Sequence, residues 1–415
     1  MSGYVGFIYS PDFLKYRFSE DHPFNPLRLE LTLDLLEEAG LLARGVDTGA
    51  GTRTGTGAGA GAGRTATAFL VAPRMATDGE LLLTHDPAYI EMVKTVSAHG
   101  DMVPDARNFE LGTDDNPVFE GMHEAASLVV GATLTAADLV MEGRAAHALN
   151  IAGGLHHAQR SHASGFCIYN DVAVAIAYLQ RRYGARVAYI DTDAHHGDGV
   201  QWAFYDDPGV LTISFHETGR YLFPGTGEVT ERGRNEGYGY SVNVPLEAFT
   251  EDDSFLSAFE AVVPPLVKAF APDVIVSQNG CDGHFLDPLT HLSLTMRAYA
   301  EIPRIVHDLA HAVSGGRWIG VGGGGYDIWR VVPRAWAFLW AQMLEAELPE
   351  ELPRGWLARW QKMSPVALPG YFLDSPATSP VIPRRAEITE KNNLSVAKVM
   401  AEALSIVERS PENCS

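Results

Sequence analysis

The stretch RVAYIDTDAHHGDGV, residues 186–200, decides how this chain folds. Its first part, Arg186 to Ile190, is a short β-rich run without polar alternation, the pattern of a strand buried on both faces of a parallel sheet. Directly after it, Asp191, Asp193, His195, His196 and Asp198 crowd into eight positions. Comparable β-rich runs recur at Val5–Tyr9, Leu81–Thr84, Ala148–Ala152, Val210–Phe215, Asp273–Ser277 and Trp318–Val321. Between them lie helix-compatible segments at Met122–Met141, Asp171–Tyr183, Asp253–Phe270 and Leu294–Val313. Repeated strand–helix alternation predicts an α/β fold, a single large domain whose mostly parallel β-sheet is flanked by helices. Such sheets take ligands outside the carboxyl ends of their strands. Polar clusters follow the strands at Gly153–His157, Asp191–Asp198, Ser214–His216, Asn279–Asp282 and Gly322–Tyr326, so several loops are expected to meet at one rim.

Residues 1–345 make up this domain, and 346–415 form an extension expected to pack on it. The extension is punctuated by proline and ends in an amphipathic helix predicted around Ser395–Val407. Residues 49–63, GAGTRTGTGAGAGAG, can bury almost nothing and lose much backbone entropy if ordered, which predicts a flexible surface loop.

The 415 residues are 46% hydrophobic and 20% charged, ordinary globular usage that argues against disorder throughout. A net charge of −21 disfavours nucleic acid or an anionic membrane as partner and suits a cationic or neutral substrate. Cys167, Cys281 and Cys414 are too few and too scattered for a disulfide framework or a cysteine-rich zinc module, which points to a reducing cytoplasm. The start lacks a basic segment followed by an apolar one, and no run of about 18 uncharged apolar residues occurs, so export and membrane insertion are not expected.

On an extended backbone alternate side chains share a face, so Asp191, Asp193 and His195 are expected to converge while His196 points away. Carboxylate and imidazole donors suit a zinc-type or iron-type divalent ion, with Asp282 the natural third ligand and a position left for water. An EF-hand is excluded, because His196 stands where that loop needs glycine and no glutamate closes twelve residues. After the run ending at Ala152 come His156 and His157; Asp191 and Asp198, left over once the metal takes Asp193, can partner them as His–Asp dyads, a general acid and base set beside a metal-bound water. The four glycines of Gly322–Gly325 fit neither a P-loop nor a dinucleotide fingerprint. They bring forward Tyr326, whose hydroxyl either holds a developing oxyanion or simply packs.

Taken together, GGLHHA (153–158), SGFCIYND (164–171), YIDTDAHHGDGVQ (189–201), SFH (214–216), FPGTG (223–227) and GGGGY (322–326) strongly resemble the zinc-dependent histone deacetylase family, class I-like, over roughly Tyr9 to Leu339. GTDDNPVFEGMHE (112–124) and the extended tail resemble its bacterial acetoin-utilisation subgroup. The resemblance implies that Asp193, His195 and Asp282 bind Zn(II), or Fe(II) in some circumstances. It pairs His156 with Asp191 and His157 with Asp198, and makes Tyr326 the oxyanion donor. Gly165, Phe166 and Phe223 would line a substrate tunnel, Leu289 its mouth, and Asp115 would hold substrate backbone amides at the rim. It further implies structural K+ or Na+ sites, one at Asp191, Asp193, His195, Ser214 and Phe215, a second at Phe204, Asp207, Val210 and Tyr240. Arg28 would line an acetate exit cavity, or else only pair within the fold.

The implied reaction is metal-assisted hydrolysis of the acetyl amide of acetyl-lysine in proteins, tied to acetate or acetoin metabolism, with an acyl-CoA ligase as a candidate partner. Acetylpolyamine hydrolysis competes, since a strongly acidic protein attracts cationic amines; Asp115 beside Asp114 and the long tail favour protein. Guanidine hydrolysis on the related arginase-like fold needs a second aspartate where Gly283 and His284 stand. A silent acyl-lysine-binding scaffold would need an inactivating change among residues that are all in place.

Overall fold

The computed structural model describes residues 3–43, 46–47, 66–100 and 103–408. Among them, nine strands form one sheet: β1 (Tyr4–Ile8), β2 (Val46–Asp47), β3 (Thr67–Val71), β4 (His147–Asn150), β5 (Val187–Asp191), β6 (Val210–Glu217), β7 (Ser241–Leu246), β8 (Val274–Gln278) and β9 (Trp318–Val321). Their order is β2-β3-β1-β4-β9-β8-β5-β6-β7, and every pairing is parallel. Strands β4, β5, β6, β8 and β9 are buried at every position, which is why they read as unbroken runs. Asp191 pairs in register with Ser214 on one side and Gln278 on the other, so three polar residues stand abreast at the carboxyl rim.

The helices are α1 (Leu27–Glu38), α2 (Asp78–Leu81), α3 (Pro87–His99), α4 (Met122–Met141), α5 (Asp171–Tyr183), α6 (Asp198–Ala203), α7 (Asp252–Phe270), α8 (Met296–Val313), α9 (Val332–Met343), α10 (Arg354–Trp360) and α11 (Arg385–Glu408). One group, α4 with α5, packs against β1, β4 and β5; another runs α1, α9, α8, α7, α11, each against the next. Helix α4 is long and apolar enough to cross a membrane, but 72% of its most apolar stretch is buried inside this molecule, where it serves as a core helix.

Two departures from the sequence reading have physical causes. Leu81–Thr84 is no strand: Thr77 and Glu80 form a capping box that starts α2, and the run continues into a turn with Leu82 exposed. Strand β7, SVNVPL, was hidden by Asn243 and Pro245; proline is tolerated there because β7 is the sheet edge. β3 was likewise passed over. The 49–63 tract lies outside the described residues, as does Cys414.

Beyond residue 345, Trp356 and Trp360 donate through Nε1 to Leu31 O at 3.0 Å and Asp34 Oδ2 at 2.6 Å, fastening α10 to α1. Asp374 accepts from Arg334 at 2.9 Å and from His284 at 3.0 Å. Helix α11, longer than the predicted Ser395–Val407, lies on α7 and β7.

Candidate active site

β5 ends at Asp191, and Asp193 and His195 follow in a bend rather than on an extended strand. The bend is built by side chains that accept from the backbone: Asp193 N donates to Asp191 Oδ1 (3.1 Å), His195 N to Asp193 Oδ1 (3.0 Å) and Ala194 N to Asp282 Oδ1 (2.8 Å). The expected convergence therefore holds for Asp193 and His195 by a different route, and Asp191 is turned to another task. Ligand atoms of Asp193, His195 and Asp282 all lie within 4.8 Å of one another, and all three residues are buried. His196 points elsewhere, hydrogen-bonded to Thr226 at 2.8 Å and Gln201 at 3.3 Å.

The donor set fits a divalent ion. His195 Nδ1 faces Asp282 Oδ2 at 2.9 Å and Asp193 Oδ1 at 3.3 Å. Burial opposes a charge on His195, yet the two carboxylates push its pKa up to about 10; burial and the charge of Asp193 raise Asp282. Two acids and one imidazole in a dry pocket call for positive charge, which a divalent cation supplies more fully than one proton. The walls leave no spare room: a Cβ on Gly280 would meet Asp193 Oδ2 at 2.0 Å, and one on Gly324 would meet Asp282 Oδ2 at 2.2 Å. Gln278 Nε2 (3.0 Å) and Gly324 N (2.6 Å) fix Asp193 Oδ2.

Beside this cluster stand two dyads. His156 Nδ1 lies 2.8 Å from Asp191 Oδ2, which also accepts from the Tyr189 hydroxyl at 2.7 Å. His157 Nδ1 lies 2.8 Å from Asp198 Oδ1, whose other oxygen accepts from Gln159 at 2.8 Å. The rings sit 4.0 Å apart, and their surroundings split them. Burial disfavours the His156 cation, but Asp191 and Asp193 outweigh it and push the pKa up to about 9. Burial and the neighbouring His156 charge bring His157 down to about 4 despite Asp198. Their surroundings push the two histidines in opposite directions, the separation that assigns acid–base roles.

The loop bearing both histidines hangs on Asp171, which the sequence reading did not single out. Its carboxylate accepts from Gly154 N (3.0 Å), Leu155 N (2.8 Å) and Thr133 Oγ1 (2.6 Å). Gln278 was missed too. The only sequence signals were an Asn-Asp pair opening α5 and a glutamine closing a strand.

Two aromatic rings stand against these groups. The Phe223 ring is 5.0 Å from His157 and 6.4 Å from His195; the Phe166 ring is 5.9 Å from Tyr326. Phe166 adopts φ 69°, unusual for a bulky residue, and its carbonyl accepts from Tyr16 at 2.8 Å. A Cβ on Gly165 would meet the His157 ring at 2.6 Å. Burial, then the charges of Asp282 and Asp193, hold the Tyr326 phenol well above its ordinary pKa, so it stays a donor. Asp287 accepts from Tyr326 N at 2.8 Å and Leu289 N at 3.0 Å, joining the Tyr326 loop to the half-buried Leu289. Asp115 is exposed, on the loop after the short 3₁₀ turn Ala106–Phe109.

Arg28 is buried, donates to Gly325 O at 3.1 Å, and lies over the rings of Phe24 (4.4 Å) and Trp336 (5.2 Å); its Nε has no hydrogen-bond partner among the described residues. Ser214 Oγ pairs with His216 Nδ1 at 2.8 Å, and Phe215 is buried on β6 beside it. Phe204, Asp207 and Val210 share the turn between α6 and β6, and Tyr240 O accepts from Thr212 N at 2.9 Å.

Residues 22–343 match the family model described as the histone deacetylase domain. The chain is 53% identical over 394 residues to the acetoin utilization protein AcuC of Bacillus subtilis (strain 168), covering 95% of this chain and 96% of that one. It is 45% identical over 393 residues to the protein of the same name in Staphylococcus aureus (strain MSSA476), covering 94% and 95%. Among solved structures, an HDAC homolog from Aquifex aeolicus superposes with a TM-score of 0.77 at 30% identity, covering 95% of this chain and 99% of that one. A crystal structure of an HDAC homolog complexed with SAHA matches with the same TM-score and identity, covering 94% and 99%.

Proposed function

The chain belongs to the histone deacetylase family, and from that membership we propose that it hydrolyses the acetyl amide of acetyl-lysine side chains in proteins, using Zn(II), or Fe(II), held by Asp193, His195 and Asp282. Family and relatives make it a metal-dependent hydrolytic deacetylase of the acetoin-utilisation kind. The observation that carries the mechanistic reading is the pair of dyads, each histidine Nδ1 2.8 Å from its aspartate and the two rings 4.0 Å apart, beside the Asp193, His195 and Asp282 cluster.

An acetylated lysine is an uncharged amide on a four-carbon stem, which Phe166 and Phe223 can flank while the peptide stays at the rim. An ion held by Asp193, His195 and Asp282 would supply Lewis acidity at the reacting amide. His157, neutral and oriented by Asp198, takes the proton of the attacking water through Nε2, its Nδ1 being engaged. Tyr326 donates to the oxygen on which charge develops. His156, kept cationic by Asp191, stabilises the same charge, and His157 then passes its proton to the departing lysine amine. Acetate and free lysine result.

The free thiols of Cys167 and Cys281 support a reducing, cytoplasmic setting, and an acyl-CoA ligase remains the partner we propose. The monovalent ions, the Arg28 acetate cavity and the rim role of Asp115 belong to this same reading. The net charge of −21 favours a second substrate, acetylpolyamine. Measuring kcat/KM for an acetyl-lysine peptide against N-acetylputrescine and acetylspermidine separates them: preference for the peptide supports the proposal, and preference for either amine replaces the substrate.

A further inference from the structure

At the amino-terminal ends of the strands stands a second cluster of histidines that the deacetylase chemistry does not use. His147 is the first residue of β4, whose far end leads to His156 and His157, so the cluster lies at the amino edge while the active site lies at the carboxyl rim. His307 and His311 lie one turn apart on α8, hence on one helix face. Ring nitrogens of all three come within 4.8 Å of one another. The ring centroids are 5.0 Å (His147 to His307), 5.2 Å (His147 to His311) and 4.5 Å (His307 to His311) apart, with Trp318 against His147 at 5.6 Å.

Among the described residues, His147 Nδ1 and both ring nitrogens of His307 are buried without a hydrogen-bond partner. The nearest acids to His307 are Glu345 Oε1, 3.7 Å from Nε2, and Asp308 Oδ1, 3.8 Å from Nδ1, both beyond hydrogen-bond reach. His147 and His307 are 3% and 6% exposed, so water does not offset the loss. Leaving a buried polar atom unpaired is costly, and unpaired nitrogens on two neighbouring buried imidazoles require an explanation. A shared cation gives one, because each imidazole lone pair then has a partner. His311 is exposed and provides the way in.

We infer that His147, His307 and His311 form a second metal site, which takes a nitrogen-preferring divalent cation of the Zn(II) class and clips α8 to the amino edge of β4 and β9. Three neutral imidazoles select Zn(II), Cu(II) or Ni(II) over Mg(II) or Ca(II), whose ligands are oxygens. Water or the Glu345 carboxylate completes the coordination.

The test uses the full chain without a histidine tag, stripped of metal, equilibrated with Zn(II) alone, desalted and measured by mass spectrometry of the metal. The expected content is two ions per chain in the wild type, one in Asp193→Ala, one in His311→Gln with deacetylase turnover retained, and none in the double variant. His311 is at the surface, so its replacement does not threaten folding. As a readout independent of activity, Zn(II) should raise the Tm of Asp193→Ala but not of Asp193→Ala/His311→Gln. Equal metal content in the wild type and His311→Gln, or equal Zn(II) shifts of Tm in the two Asp193→Ala proteins, would overturn the inference.

Discussion

Asp198 Oδ1 lies 2.8 Å from Nδ1 of His157, and this bond decides which nitrogen of His157 faces the reaction. Asp198 is also the first residue of α6, so the carboxylate that orients the base is fixed by a helix start. Replacing it by asparagine leaves the fold but loses the anion that stabilises the imidazolium after proton transfer. The expected loss in kcat is about 10²- to 10⁴-fold with KM little changed, measured by steady-state turnover of an acetyl-lysine peptide.

The pH dependence follows from the split pair. His157 must be neutral, and its pKa is lowered to about 4 by burial and the His156 charge; His156 must be protonated, and its pKa is raised to about 9. Activity is therefore retained above the His157 pKa and lost as pH rises through that of His156. kcat/KM should show an acid limb well below the ordinary imidazole value of about 6.5 and an alkaline limb near 9. Asp191→Asn should move the alkaline limb down, because it removes the charge that raises His156. An acid limb at or above pH 6.5 would contradict the assignment.

Gly165 has φ 52° and would place a Cβ 2.6 Å from the His157 ring and 2.9 Å from that of Phe223. Gly165→Ala should displace the base by a fraction of an ångström and lower kcat about 10²-fold or more, with some loss of Tm because alanine is strained at this φ. Wild-type turnover in this variant would show that the loop is more adaptable than its packing suggests.

Asp374 ties the extension to the core. Leu286 N donates to His284 Nδ1 at 3.1 Å, so His284 Nε2 carries the proton and donates to Asp374, while Arg334 supplies the charge. Burial would raise the Asp374 pKa, but His284 and Arg334 overcome it and hold the carboxyl well below the usual range. A depressed folded-state pKa stabilises above the unfolded value of about 3.9, and that stability is lost as pH falls through the folded pKa. Asp374→Ala leaves a buried guanidinium unpaired and should cost roughly 3–5 kcal/mol, read from the urea midpoint at pH 7. The difference from wild type should shrink in strong acid.

Much of this was legible in residues 186–200 and their counterparts, because strands buried on both faces announce themselves as apolar runs and their polar ends mark the rim. Met122–Met141 and Asp171–Tyr183 came out at their observed bounds. What escaped depended on partners distant in sequence. Thr77 and Glu80 turned an apolar run into a helix start, Pro245 was readable as a strand residue only once β7 was known to be an edge, and Asp171 and Gln278 act by accepting from, or donating to, groups whose positions the fold alone supplies. Asp193 and His195 converge, but through side-chain-capped bends instead of strand alternation.

The most direct measurement is turnover of an acetyl-lysine peptide by metal-stripped protein reloaded in turn with Zn(II), Fe(II) and Mn(II), beside Asp193→Ala and Tyr326→Phe. Metal-dependent acetate release, abolished in Asp193→Ala and reduced about 10²- to 10³-fold in Tyr326→Phe, is the predicted result. Turnover that survives metal removal, or is unchanged in Asp193→Ala, would contradict the account.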